Sequence, residues 1–174
     1  TIKKTLYDPR KDTEKIKKET IDFFVEISKY DIKDIVTLDE TGINNQMVRL
    51  YGRGEGKSRV YDKVKPKPEI KLTIISGLSI EGLIAPYEFE GYLDQHIFYY
   101  YLKDFMLPAM KKGQVLLLDN LSSHKGEIIK NLFEESGIKV IYFPSYSPDL
   151  NPIEKYWSII KSYLIKWAGR TKKQ

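Results

Sequence analysis

Cysteine is absent from this chain of 174 residues, and histidine occurs only twice. The lack of cysteine excludes disulfide bonds and thiolate metal sites, and it is compatible with a cytosolic location. No apolar run approaches the roughly 18 residues that a membrane-spanning helix needs. The polar start of the sequence, Thr1-Ile-Lys-Lys-Thr5, lacks the apolar stretch of a signal peptide. We therefore expect a cytoplasmic protein that is neither embedded in a membrane nor secreted.

Three acidic residues stand out because each lies where a predicted secondary-structure element ends or begins. Asp39 closes the apolar run that starts at Ile35, Asp119 closes the run Val115-Leu-Leu-Leu, and Glu154 lies in the first turn of a predicted helix. Carboxylates brought together in this way repel one another unless cations intervene. All-oxygen ligands favour magnesium or manganese over zinc. The pattern predicts a site for two divalent ions that act on a phosphodiester.

Each of these residues also has a simpler interpretation. Asp often ends a strand as a turn former, which could explain Asp39 or Asp119 taken singly. Asn151 and Glu154 have the spacing of a capping box, in which the glutamate would accept a hydrogen bond from the backbone N–H of the N-cap residue. The third carboxylate could therefore be a cap, a metal ligand, or both.

Positive charge is concentrated in two segments on either side of an acidic one. The chain has 29 Lys and Arg against 24 Asp and Glu. Residues 42–71 hold eight basic and three acidic residues, residues 72–154 hold six and eleven, and residues 155–174 hold six and none. This distribution suits a metal site that binds a polyanion on both sides. The alternative is that the Lys-rich segments are solvated surface only.

Hydrophobic periodicity predicts an α/β chain. The last helix is predicted to have Asn151 as its N-cap and to bury a stripe formed by Ile153, Trp157, Ile160 and Leu164. The predicted elements, in order, are a helix at 13–29, a strand at 35–38, a hairpin of strands 71–78 and 83–89, a helix with the stripe Leu93, Ile97, Tyr101 and Phe105 that ends before Pro108, a strand at 115–118, a helix around Ile128–Phe133 capped by Gly137, a strand at 139–143 and the last helix from Pro152.

Three sequence motifs closely resemble the catalytic domain of DDE transposases of the mariner superfamily, particularly its bacterial insertion-sequence branch. They are Asp39-Glu-Thr-Gly42, Asp119-Asn-Leu-Ser-Ser-His124 and Tyr146-Ser-Pro-Asp-Leu-Asn-Pro-Ile-Glu154, with 34 residues between Asp119 and Glu154. The resemblance implies a ribonuclease-H-like fold, a mixed central sheet with helices on both faces, which also matches the predicted order of elements. It implies that Asp39, Asp119 and Glu154 are catalytic and bind two Mg²⁺ ions, with Mn²⁺ as a substitute.

The resemblance also implies partners. The first is double-stranded DNA, which includes the transposon ends and the target DNA. The others are a second copy of the chain, in a homodimer on DNA, and a separate helix-turn-helix half of the transposase that recognises the terminal repeats. Binding to DNA would place the protein on the bacterial nucleoid. Asn120 and His124, close to Asp119, are expected to support the site. The alternatives are that Asn120 only shapes a turn and that His124 is bonded to the backbone at the start of a helix. In relatives the insertion after the first strand contacts DNA and the partner subunit, so the resemblance implies phosphate contacts and dimer contacts for this segment. DNA binding is assigned to its basic residues, Arg49, Arg53, Lys57, Arg59, Lys63, Lys65 and Lys67.

These observations predict a chain with an N-terminal linker and helix at 1–30, a catalytic domain at 31–168 with a basic insertion at 42–71, and a basic tail at 169–174. The predicted activity is hydrolysis of DNA at transposon ends followed by strand transfer into target DNA. Two alternatives stay open. A ribonuclease-H-like nuclease or resolvase would share the metals without strand transfer, and a domesticated module would bind DNA without catalysis.

Overall fold

A mixed five-stranded sheet lies at the centre of the residues that the computed structural model describes, 13–44, 47, 61, 71–121 and 126–171. The strands lie in the order β3-β2-β1-β4-β5. β1 is antiparallel to β2, and β2 to β3, whereas β1, β4 and β5 are parallel. The elements are α1 (Glu14–Ile27), β1 (Ile35–Asn44), β2 (Lys71–Ser79), β3 (Gly82–Glu90), α2 (Gln95–Tyr101), β4 (Val115–Leu118), α3 (Glu127–Ser136), β5 (Lys139–Tyr142) and α4 (Pro152–Thr171).

One face of the sheet packs against α2 and α3. Val36 and Leu38 of β1 contribute to this core together with Ile75 of β2. The helices add buried apolar side chains that include Phe98, Leu102, Met106, Ile129 and Phe133. Burying such side chains contributes roughly 1.5–3 kcal/mol each, which fixes the sheet against these helices.

The other face carries α1 and α4. Phe23 of α1 packs with Val115, Leu117 and Ile141 and lies 5.4 Å, centroid to centroid, from the ring of Phe143. α4 contacts β1 and β2. Alternation along β1 places Asp39 on the side opposite Leu38, and Asn151, which directly precedes α4, bonds the Asp39 carboxylate on that side. Helices therefore cover both faces of the sheet, as predicted.

Several predicted elements are confirmed with small shifts of their bounds. The hairpin forms as an antiparallel pair, and all four residues of β4 are buried, as expected for a strand covered on both faces. Gly137 ends α3 with φ of 67°, a left-handed conformation that glycine adopts without a steric penalty. Asn151 precedes α4, and Pro152 is its first residue.

Other predictions about the fold are wrong. β1 does not end at Leu38 but continues to Asn44, because its antiparallel pairing with β2 extends as far as Asn44 and Lys71. The predicted insertion at 42–71 therefore includes the end of β1 and the first residue of β2. Leu164 is 39% exposed and does not belong to the buried stripe of α4.

The helix before β4 also differs from the prediction. It does not end before Pro108, because a π turn at Leu102–Met106 follows α2 and a further helical turn, Leu107–Ala109, contains the proline. The π turn moves Phe105 to the surface and places Leu102 and Met106 in the core. Pro108 lies near the end of this continuous helical run, since Tyr101, Met106 and Leu107 all have helical φ and ψ.

Within the part of the chain that the structure describes, no helix combines the length and the apolar character needed to cross a membrane.

Candidate active site

Asp39 lies in the middle of β1 and not at its end, which corrects the prediction. Pairing between β1 and β4 ends at Thr37 and Leu117, so β1 continues past the end of β4. Asp39 remains paired with Ser76 of β2 on its other side. The carboxylate is therefore held by a continuous strand, at the position where the neighbouring parallel strand has stopped. It is 8% exposed.

Asp119 directly follows β4 and comes close to Asp39 because of the strand register. Leu117 pairs with Thr37, and extending the same register by two residues brings Asp119 beside Asp39 on the same face. Asp119 Oδ1 accepts a hydrogen bond from the backbone N–H of Leu121 at 3.3 Å. This bond is typical of an Asp that shapes a turn. The turn-former interpretation is thus part of how Asp119 is oriented.

Glu154 lies in the first turn of α4, but it does not form the capping box. The backbone N–H of Asn151 donates to the carbonyl oxygen of Pro148 at 3.1 Å, so it is already used. The side chain of Asn151 caps the helix instead, since Asn151 Oδ1 accepts from the N–H of Ile153 at 3.3 Å. The Glu154 carboxylate is exposed and is one of the side chains that line a cleft.

The three carboxylates line the same cleft, which has a volume of about 450 Å³. One wall follows β5 and consists of the segment Phe143–Pro148. Tyr146 in this wall has a positive φ of 59°, which is uncommon for a residue other than glycine. Besides the carboxylates and this wall, the cleft is lined by Asn120, Leu121 and Asn151.

The charge state of Asp39 is strongly perturbed. Burial, together with the negative charges of Glu40, Glu154 and Asp119, raises the pKa of its carboxyl from 3.8 to about 7. A hydrogen bond from the Glu40 N–H to Asp39 Oδ1, at 2.8 Å, acts in the opposite direction. Asp39 is therefore a carboxylate whose ionised form is destabilised by burial and by its acidic neighbours. A bound cation would relieve both effects.

The donor set of the cleft fits hard divalent cations, because every side chain that could serve as a ligand offers oxygen. Within residues 13–44, 71–121 and 126–171, no three His, Asp or Glu side chains are already arranged to hold one metal ion. The structure thus brings Asp39, Asp119 and Glu154 to one cleft without forming a closed ligand cluster.

The remaining predicted residues divide into those that the structure places and those that it does not describe. Asn120 Nδ2 donates to Ser145 Oγ at 3.3 Å, and the Ser145 N–H donates to Glu19 Oε2 at 3.4 Å, which joins Asn120 to the cleft wall and to α1. Glu40 lies on the face opposite Asp39, as predicted, since it pairs with the core residue Ile75. Outside the described residues lie His124 and the basic residues Arg49, Arg53, Lys57, Arg59, Lys63, Lys65 and Lys67.

Sequence reasoning missed one contact of the site. Asn151 was predicted only as a helix cap, yet its Nδ2 donates to Asp39 Oδ2 at 3.2 Å. The sequence carries no signal for this bond, because the two residues are 112 positions apart. The spatial pairing of β1 with the start of α4 creates the contact.

Most of the chain matches a known protein family. The sequence profile described as DDE superfamily endonuclease matches residues 34–174, a range that includes Asp39, Asp119 and Glu154. This chain belongs to the DDE endonuclease superfamily. Comparison of this DDE endonuclease chain with curated protein sequences finds no match.

The fold of this DDE endonuclease chain is similar to that of solved Mos1 structures. The Mos1 strand transfer complex has a TM-score of 0.73 and 18% identity, over 95% of this chain and 53% of the Mos1 chain. The mariner Mos1 paired end complex with Mg has a TM-score of 0.71 and 16% identity, over 97% and 59%. The Mos1 transposase catalytic domain with Raltegravir and Mg has a TM-score of 0.63 and 15% identity, over 93% and 76%.

The chain spans about half of the length of the first of these structures, 53%. The shared architecture, a mixed five-stranded sheet with helices on both faces, is the ribonuclease-H-like fold predicted from the sequence.

Proposed function

We propose that this chain is the catalytic domain of a DNA transposase, in which Asp39, Asp119 and Glu154 hold two Mg²⁺ ions. The observation that carries the proposal is the cleft: a DDE endonuclease chain has its three motif carboxylates along one cleft, where burial and the charges of its acidic neighbours raise the pKa of Asp39. Mos1 structures with Mg and with Mn support Mg²⁺ as the metal and Mn²⁺ as its substitute.

The chain's own residues bind and orient in this mechanism. Asp39 is fixed by the Glu40 N–H and by the side chain of Asn151, and Asp119 is fixed by the Leu121 N–H. Glu154 sits at the N-terminal end of α4, where the helix dipole favours a negative charge. When bound, the two ions supply an activated water or 3′-hydroxyl as nucleophile and stabilise the leaving oxygen. Asn120 supports the wall of the cleft through Ser145.

We also infer that DNA is the substrate in two roles, as transposon end and as target. Of the similar structures, one is a strand transfer complex and one is a Mos1 paired-end complex with the left transposon end. The basic insertion between β1 and β2 and the basic residues after Glu154 would contact phosphates on either side of the cleft. Such contacts position DNA without reading its sequence.

We also propose that the chain belongs to the bacterial insertion-sequence branch of the mariner superfamily, which its three motifs resemble. We further propose that it forms a homodimer on DNA, acts with a helix-turn-helix half that recognises the element ends, and binds the nucleoid. The proposed division is a linker and helix at 1–30, a catalytic domain at 31–168 and a basic tail at 169–174. The His124 side chain is proposed to support Asp119 from the same motif.

The two alternatives make different products. A ribonuclease-H-like nuclease or resolvase would cut DNA without joining it, and a domesticated DNA-binding module would do neither. The test incubates the chain with Mg²⁺ or Mn²⁺, a supercoiled plasmid and duplexes that carry free 3′-hydroxyl ends. Transposase activity is expected to give nicked plasmid and joined products on a gel.

The test compares glutamine variants of two glutamates, each of which lies in the first turn of its own helix. Glu154→Gln should abolish both products, whereas Glu127→Gln in the first turn of α3, outside the cleft, should leave them unchanged. Nicking without joined products would favour the nuclease. Binding of DNA with neither product would favour the non-catalytic module. Equal activity of the Glu154→Gln variant and the parent would refute the carboxylate assignment.

A further inference from the structure

Asn151 uses each of its polar groups in a contact that touches the cleft or the start of α4. Its side chain donates from Nδ2 to Asp39 Oδ2 at 3.2 Å and accepts at Oδ1 from the Ile153 N–H at 3.3 Å. Its backbone N–H donates to Pro148 O at 3.1 Å, and its carbonyl oxygen accepts from the Glu154 N–H at 3.4 Å. The residue is 6% exposed. One buried side chain therefore links the Asp39 carboxylate to the helical turn that carries Glu154.

The chemistry of the asparagine side chain suits this link. Its amide donates at one end and accepts at the other, whereas an ionised aspartate only accepts. Together, the Asn151 amide and the Glu40 N–H give each Asp39 oxygen one hydrogen bond. A carboxylate has about four lone-pair sites, so lone pairs on both oxygens remain for a metal ion. The two bonds fix the orientation of the carboxylate without occupying it.

We propose that Asn151 is a positioning residue that holds Asp39 in register with Glu154, so that the carboxylates of two different elements bind metal together. This inference rests on the proposed function. Ligating carboxylates are commonly hydrogen-bonded by outer residues, and loss of such a partner typically weakens metal affinity or activity by about 10- to 100-fold. Asn151 acts through Asp39 and through the first turn of α4, and not by contact with DNA.

The competing interpretation is that Asn151 only caps α4. Asn151→Ser separates the two roles, because serine is a good N-cap but cannot reproduce the amide donor to Asp39. Asn151→Thr offers the same separation if the serine variant folds poorly, since threonine also caps a helix and lacks the amide donor. A matched control is Asp94→Ser. Asp94 is the N-cap of α2, where its Oδ1 accepts from the Ile97 N–H at 2.8 Å, and it does not line the cleft.

The first measurement is calorimetric titration of the chain with Mn²⁺, accompanied by thermal melting without metal. Asn151→Ser is expected to raise the Kd for Mn²⁺ by about 10- to 100-fold. Its metal-free melting temperature should stay within a few degrees of the parent, because the helix remains capped. Asp94→Ser should change neither the Kd nor the melting temperature beyond the effect of one exchanged cap.

The second measurement is the rate of plasmid nicking as the Mn²⁺ concentration rises. Asn151→Ser should recover toward the parental rate at high Mn²⁺, since all three carboxylates are still present, whereas Asp119→Asn should not recover. A purely structural cap would give no such metal-dependent rescue.

The outcomes separate the two proposals. If Asp119→Asn loses Mn²⁺ binding while Asn151→Ser binds like the parent, the positioning role is refuted and the proposed function stands. If the parent chain itself binds no Mn²⁺, the proposed function fails, and the positioning role fails with it.

Discussion

Replacing Asp39 by asparagine is expected to stabilise the metal-free protein at pH 8. In the folded chain the pKa of Asp39 is raised from 3.8 to about 7, so at pH 8 the carboxyl is ionised in an environment that disfavours its charge. Asparagine has nearly the same shape and no charge. The variant should therefore keep the fold, avoid the cost of burying a charge and the repulsion from Glu40, Glu154 and Asp119, and unfold at a higher urea concentration than the parent.

The size of the effect follows from two opposing contributions. A gap of roughly three pKa units corresponds to about 4 kcal/mol, at about 1.4 kcal/mol per unit, and Asp39 is only 8% exposed. Asparagine has one acceptor oxygen for the two donors that now bind Asp39, the Glu40 N–H and Asn151 Nδ2, so one buried donor loses its partner at a cost of about 1–3 kcal/mol. The expected net gain at pH 8 is roughly 1–3 kcal/mol.

The gain should depend on pH in a defined direction. Because the folded-state pKa is raised, unfolding releases a proton between pH 3.8 and about 7, and the parent loses stability as the pH rises through that window. The Asp39→Asn variant lacks this contribution. The stability of the variant relative to the parent should grow from about pH 4 up to about pH 7 and stay constant above it.

Urea denaturation at several pH values between 4 and 8, in the presence of a chelator, measures this difference. Asp104→Asn, which removes an exposed aspartate from the π turn, is the control and should show no comparable trend. Saturating Mg²⁺ should reverse the order, because a ligand at about 1,000 times its Kd stabilises the parent by about 4.1 kcal/mol and should not bind the variant. A gain that is the same at all pH values, or no gain at pH 8, would refute the reasoning.

Three further predictions concern activity and DNA binding. Asp119→Asn should lose divalent-ion binding in calorimetry and cleavage on gels, while its metal-free melting temperature stays equal or rises slightly, because a charge that repels Asp39 is removed; cleavage at the parental rate would exclude Asp119 as a ligand. Glu154→Gln should abolish cleavage and leave the melting temperature within a few degrees, since Asn151 caps α4 without the Glu154 carboxylate; Glu154→Ala should behave alike. Binding to DNA should weaken with salt at a log–log slope of roughly −0.9 per neutralised phosphate. Replacing three residues of the basic insertion with alanine, Arg53, Lys57 and Arg59, should make that slope flatter. An unchanged slope would place the DNA elsewhere.

Local signals in the sequence predicted those elements whose patterns do not depend on the rest of the fold. Four apolar residues in succession at 115–118 predicted a strand covered on both faces, and all four are buried. Asn151 before Pro152 predicted where α4 begins, and Gly137 predicted where α3 ends. Such signals rest on backbone conformation and capping, which act over a few residues.

The prediction failed where packing overrides a local pattern. The stripe Leu93, Ile97, Tyr101 and Phe105 assumed a regular helix. Tyr101 is buried as predicted, but after the π turn Leu102 and Met106 are buried and Phe105 is exposed. β1 continues beyond Asp39 because β2 provides hydrogen-bond partners as far as Asn44, a feature of the sheet and not of the sequence of β1 alone.

For the candidate site, the sequence by itself determined which carboxylates to consider and to which family the motifs point. Tertiary structure alone decided how they meet. Register between β1 and β4 brings Asp119 to Asp39, and the position of α4 on the sheet brings Glu154 into the same cleft. The hydrogen bond from Asn151 to Asp39 and the raised pKa of Asp39 exist only in the folded chain. Both depend on distances between residues far apart in sequence and on the exclusion of water, and neither is encoded in any short segment.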